Sequence, residues 1–205
     1  MRASRIRLVE IVVAISVVAI SVASLGVALF QGHVMQRALE AQVLPVVQYR
    51  HSNFDGERQA WRMEFRLMNT GLGPAEVRWS EIRWRGIVLS EPAELMVRCC
   101  VPADIPADQR YRYVQQVFQT GHMRIYFEPF NGRFFAPQEE ISFIDFPRPD
   151  AALSQEAFDI WMGLDEVRHE IEVDLCYCSV FDDCWVARFP EQSREPVRAC
   201  PVDEN

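Results

Sequence analysis

Three cysteines fall close together at Cys176, Cys178 and Cys184, in the stretch Asp174-Leu175-Cys176-Tyr177-Cys178-Ser179-Val180-Phe181-Asp182-Asp183-Cys184-Trp185. Thiolates at i and i+2 with a third nearby could bind a soft metal such as Cu(I) or Zn(II), act as a redox dithiol, or close structural bridges. The surroundings favour bridges. The nearest histidine, His169, lies seven residues before Cys176, and the spacing fits no zinc motif. A C-x-x-C at a helix N-terminus, which lowers a thiol pKa, is absent. Cys99, Cys100 and Cys200 complete an even set of six, which reads as a disulfide framework in an oxidising compartment. Each bridge would stabilise by about 2–4 kcal/mol.

The remaining inventory does not suggest an enzyme. His33, His51, His122 and His169 are scattered along the chain, outside any nucleophile or zinc-protease motif. Glu139-Glu140 and Asp182-Asp183 sit at expected turns, where acidic residues are ordinary. There is no glycine-rich phosphate loop, and no cofactor or metal is expected. Aromatic residues point to recognition instead. Tyr126, Phe127, Phe130, Phe134, Phe135, Phe143 and Phe146 crowd one segment. Neighbours on a strand face opposite ways, so Tyr126-Phe127 and Phe134-Phe135 cannot all enter one core. Either a helix beginning at Asp150 covers the second face, or an exposed patch binds a partner protein through Phe130, Phe134 and Phe135.

The elements that must carry these residues can be read from periodicity. Residues 170–180 form a strand with Ile171, Val173, Leu175 and Tyr177 on its core face. Cys176 and Cys178 then point outward, where the end of a short helix over residues 90–100 and the tail supply partners. Cys99 and Cys100 are expected to pair with the strand cysteines, and Cys200 to tie the tail to the same face. Asp182-Asp183 turns the chain into a last strand over residues 184–189, succeeded by an irregular tail. An amphipathic helix over residues 150–162 buries Leu153, Ala157, Trp161 and Leu164, with Gly163 as its stop. A weaker helix is expected over residues 107–118. Asn131-Gly132 predicts a hairpin between strands over residues 122–130 and 133–136.

Earlier in the chain, strands are expected over residues 43–50 and around Trp61, Met63, Phe65 and Leu67, joined by an Asp55-Gly56 turn. The next strand runs from Val77 to Trp84. Its apolar parity changes at Ser80-Glu81, which predicts a β-bulge there. A short strand comes next, over residues 87–89. The intervening Asn69-Thr70-Gly71-Leu72-Gly73-Pro74-Ala75 is an N-x-G-x-x-x-A connection. It resembles the connection in immunoglobulin-like bacterial surface β-sandwiches such as the adhesion-related CARDB domains. The resemblance covers residues 61–89 or so and implies an antiparallel β-sandwich with Trp61, Phe65 and Leu67 buried. It implies no activity.

Residues 11–30, IVVAISVVAISVASLGVALF, carry no charge. As a helix they match the ~30 Å hydrocarbon core of a bilayer. Arg2, Arg5 and Arg7 precede the span, which places the N-terminus in the cytoplasm. Ser21-Val22-Ala23 would serve as a signal-peptide cleavage site, but the apolar run continues to Phe30, so an uncleaved anchor is expected. Ala19, Ala23 and Ala28 give small-residue spacings that let a partner helix approach. Residues 31–42 continue as a juxtamembrane helix until Pro45.

Setting aside Arg2, Arg5, Arg7 and Glu10 leaves 18 basic and 28 acidic residues, a net charge of −10 on the rest of the chain. That balance excludes nucleic acid as a partner class. The expectation is mainly β: a basic cytoplasmic segment (1–10), a transmembrane helix (11–30), a stalk (31–42) and a periplasmic, disulfide-stapled immunoglobulin-like sandwich with added short helices (43–205). It sits in a bacterial cytoplasmic membrane as an interaction module, an accessory subunit of a membrane protein complex. The alternative is a periplasmic sensor or carrier that binds a small ligand or soft metal through the cysteine hairpin.

Overall fold

The computed structural model describes residues 2–201, with side chains from residue 10 onward. The chain divides into two compact units, Met1–Gln42 and Val43–Asn205. The first is one helix, α1 (Arg2–Gln42). It begins ahead of the apolar span and continues past it, since no proline falls within it and Pro45 lies beyond its end. Its Glu10–Gln42 portion is long and apolar enough to cross a membrane.

The second unit is two antiparallel sheets with helices between strands. The strands are β1 (Val47–Asp55), β2 (Ala60–Asn69), β3 (Ala75–Trp84), β4 (Ile87–Val88), β5 (Tyr126–Phe127), β6 (Phe134–Phe135), β7 (Glu140–Pro147), β8 (Ile171–Cys178), β9 (Cys184–Phe189) and β10 (Ser193–Val197). One sheet has the order β1-β2-β7-β5; the other has β10-β9-β8-β3-β4, with β6 also paired to β3. Helices α2 (Pro92–Cys99) and α3 (Arg110–Gln119) lie between β4 and β5, and α4 (Gln155–Val167) between β7 and β8.

The core joins the two sheets. Phe65, Leu67, Phe143 and Phe146 come from the four-stranded sheet, and Val77, Val173, Leu175 and Tyr177 from the other. Leu95 and Met96 of α2, Val117 of α3 and Trp161 and Leu164 of α4 complete it. The Trp161 indole Nε1–H donates to the Phe146 carbonyl at 3.0 Å, which satisfies its polar atom inside the core.

Asn69 fixes how β2 passes into β3. It is fully buried. Its Oδ1 accepts from the Val46 and Gly71 amides at 3.2 and 3.0 Å. Its Nδ2 donates to the carbonyls of Gly73, Phe135 and Ala136 at 2.8, 3.3 and 3.2 Å. A β-carbon at Gly73 would collide with the Val43 carbonyl, so the connection can lie against residues 43–46 only with glycine there.

Several expectations are corrected. The bulge against β8 lies between Val77 and Trp79 instead of at Ser80-Glu81, and it turns Trp79 onto the cysteine face. Phe65 and Leu67 are buried as expected, but Trp61 is 46 % exposed near the start of its strand, with the Arg148 guanidinium over its ring. Asn131-Gly132 is a turn, not a hairpin: β5 pairs with β7 and β6 with β3, so the chain crosses from one sheet to the other there. The α4 helix starts after its Ser154 cap and runs through Gly163 to Val167, leaving Leu153 exposed. The tail is not irregular throughout, because β10 extends the sheet beyond β9.

Candidate functional site

The cysteines resolve into two places. β8 alternates as expected: Ile171, Val173, Leu175 and Tyr177 face the core, and Cys176 and Cys178 lie on the opposite face. There they form a small apolar cluster with Cys184, Val186, Trp79, Val197 and Cys200. Cys176 bridges to Cys200 and Cys178 to Cys184, with Cα separations of 5.6 and 4.0 Å. The register explains the second pair, since Cys178 stands directly opposite Cys184.

Cys99 and Cys100 do not reach this face, contrary to expectation. They are joined to each other at a Cα separation of 3.7 Å. The end of α2 packs on α4 and the main core instead. All six cysteines are thus at disulfide distance.

The aromatic segment divides by burial. Phe130, Phe135, Phe143 and Phe146 are core residues, whereas Tyr126, Phe127 and Phe134 are 56 %, 47 % and 63 % exposed. Phe130 and Phe135 therefore cannot anchor a partner from the surface. Phe130 packs edge-on to Phe143 at 5.0 Å, and Phe135 is drawn inward by the pairing of β6 with the core strand β3. Of the three aromatic residues expected to bind a partner, only Phe134 is exposed. Ala19, Ala23 and Ala28 lie on the exposed surface of α1.

An exposed apolar border appears instead where the two sheets end. β4 and β5 are edge strands of two residues each, one in each sheet. Ile87, Val88, Tyr126 and Phe127 are all exposed there. Beside Phe127 is an apolar cavity of about 40 Å³, lined also by Phe65 and Ile144 from one sheet, Ile82 and Ile171 from the other, and Leu95 and Met96 from α2. Phe127 and Leu89 line this cavity and also a wider groove of about 240 Å³ that includes Trp79, Val88 and Asn131. Ser90, Glu81 and Asn131 supply polar groups around the groove. Such a border of short strands has no periodic signature, which is why the sequence does not announce it.

A histidine pair is also missed by sequence reading, because its members are far apart in the chain. The His51 ring on β1 meets the His169 ring edge-on, with centroids 4.8 Å apart. His51 Nδ1 is buried without a hydrogen-bond partner among the described residues. Burial first, and then the neighbouring His169 and Arg168, hold the His51 imidazole below its ordinary pKa. Comparison with protein-family models, with curated proteins and with solved structures gives no match for this chain.

Proposed function

We infer that this chain is a single-span protein of a bacterial cytoplasmic membrane that holds a partner protein at the outer surface. Its N-terminus is cytoplasmic, by the three arginines before the span, and residues 43–205 are a periplasmic interaction module. The strand orders β1-β2-β7-β5 and β9-β8-β3 correspond to A-B-E-D and G-F-C, which supports an immunoglobulin-like sandwich. The helices and β10 are then additions to that plan. Periplasmic placement agrees with cysteines at disulfide distance.

The observation that carries the reading is Phe127, half-exposed beside an apolar cavity, with exposed Val88 on the adjoining groove. Aromatic side chains next to a preformed apolar cleft are the usual material of a protein contact. The partner is a membrane protein or complex offering an apolar side chain to the cleft. The module acts without catalysis.

The test is recovery of the full chain from its native membrane with bound partners. Tyr126→Ser combined with Phe127→Ser should lose a partner that wild type and Phe134→Ser both retain, with thermal unfolding unchanged. A folded double variant that keeps the partner overturns the assignment. A second reading, soft-metal binding, draws on the Cys178, Cys184 and Cys200 sulfurs lying within 4.8 Å of one another. It requires them as thiolates, and metal analysis of the purified native chain decides it.

A further inference from the structure

We propose that the Cys176–Cys200 and Cys178–Cys184 bridges form one thiol–disulfide exchange site that takes an electron pair from a dithiol. This goes beyond partner holding and uses a different surface. Two bridges need not touch to staple a domain, yet these do. Cys178 Sγ and Cys200 Sγ, which belong to different bridges, are 3.7 Å apart. Together with Cys184 Sγ they lie within 4.8 Å of one another. Placement of Cys176 and Cys178 two residues apart on one strand face brings this about, with β9 delivering Cys184 and the tail delivering Cys200.

Burial gives the site a direction. Cys176 and Cys178 are fully buried and Cys184 nearly so, while Cys200 on the tail is only partly covered. An incoming thiolate therefore meets Cys200 Sγ first. Its attack forms a mixed disulfide with Cys200 and breaks the bond to Cys176, which leaves as a thiolate and takes a proton. The donor's second thiol then attacks the donor sulfur of that mixed disulfide. The donor closes its own disulfide and Cys200 is released as a thiolate. Two electrons have then passed from the donor to this chain, with one proton on Cys176; the donor's other proton is released to solvent.

The freed Cys200 sulfur starts 3.7 Å from Cys178 Sγ, to the side of the Cys178–Cys184 bond; release from Cys176 lets the tail carry it into line with that bond, and it attacks Cys178 Sγ. The Cys178–Cys184 bond breaks, and Cys184 leaves as a thiolate that is protonated. The product carries a Cys178–Cys200 bridge with Cys176 and Cys184 as thiols. The tail stays tied to β8 while the bridge across the last hairpin opens.

The full chain in detergent micelles is titrated with dithiothreitol, quenched in acid, alkylated and mapped by mass spectrometry with its bridges intact. Partial reduction should yield a species linked Cys178–Cys200 and alkylated at Cys176 and Cys184. Reduction that gives only the original bridges or their own thiol pairs overturns the proposal. Resistance of the folded chain to excess dithiothreitol does so as well. A Cys176→Ser variant tests the second step without any reductant, because it leaves Cys200 as a thiol. Alkylation should then divide between Cys200 and Cys184, and label confined to Cys200 overturns that step.

Discussion

Gly163 lies against Cys100. A β-carbon added at Gly163 would stand 3.1 Å from Cys100 Cβ and 3.3 Å from its Sγ. The glycine is inside α4, where it costs about 1 kcal/mol of helix propensity relative to alanine. The contact accounts for its presence, because it lets the Cys99–Cys100 end of α2 press onto α4. Gly163→Leu should destabilise the chain by about 1–3 kcal/mol, the usual cost of overpacking a closed interface. The measurement is denaturant unfolding. An unchanged midpoint would mean that α2 moves away freely and that the contact holds nothing together.

Asn69 offers a sharper test. Its amide reaches the approach to β1, the turn into β3, and the end of β6 with the residue after it. Asn69→Ala removes the side-chain partner of the buried Gly71 amide and Gly73 carbonyl, at about 1–3 kcal/mol for each one left unpaired, whereas the Ala136 carbonyl keeps the Glu139 amide. Asn69→Asp keeps the acceptor and loses the donations to Gly73, Phe135 and Ala136. Both variants should unfold at lower temperature than wild type. If Asn69→Ala unfolds like wild type, the connection is held by Gly71 and Gly73 alone.

The aromatic pair Phe134-Phe135 separates the surface from the core. Phe135 is fully buried, so Phe135→Ala should cost about 3–5 kcal/mol. Phe134 is largely exposed, so Phe134→Ala should change stability by no more than about 0.5 kcal/mol. Thermal melts of the two single variants check this. Equal destabilisation would place both rings inside and remove Phe134 from the available surface.

These cases show where the sequence is legible. The face of β8 is dictated by its period of two: a strand with Val173, Leu175 and Tyr177 on one parity has to send Cys176 and Cys178 the other way. Asn69 and the glycines after it are legible because turn geometry restricts residue type. Asn131-Gly132 shows the limit. Its local chemistry correctly marks a turn, but which sheet receives each flank depends on Phe130 and Phe135 entering a core built by distant strands. Gly163 has the composition of a helix stop, and only the neighbouring helix shows that it is a packing position. The cleft beside Phe127 and the contact between Cys178 and Cys200 arise from tertiary placement. No spacing along the chain encodes them.

His51 should make the domain acid-sensitive. Its pKa in the folded chain is lowered from an ordinary value near 6.5, with burial the largest cause. Below that ordinary value the unfolded chain binds a proton that the folded chain resists, so unfolding takes up a proton. Stability is therefore full above about pH 6.5 and falls as the pH drops toward the lowered pKa of His51. Asp145 acts in the opposite sense at lower pH, because burial raises its carboxyl and the folded state holds that proton longer. A variant comparison isolates the histidine. His51→Leu removes the titrating group while keeping an apolar neighbour for Tyr49 and Phe65. Between about pH 7.5 and 5.5, a range that brackets the ordinary histidine pKa, the wild-type melting temperature should drop by more than that of His51→Leu. Equal drops would show that the unpartnered imidazole nitrogen reaches solvent before the domain unfolds, and that the His51–His169 contact carries no pH dependence.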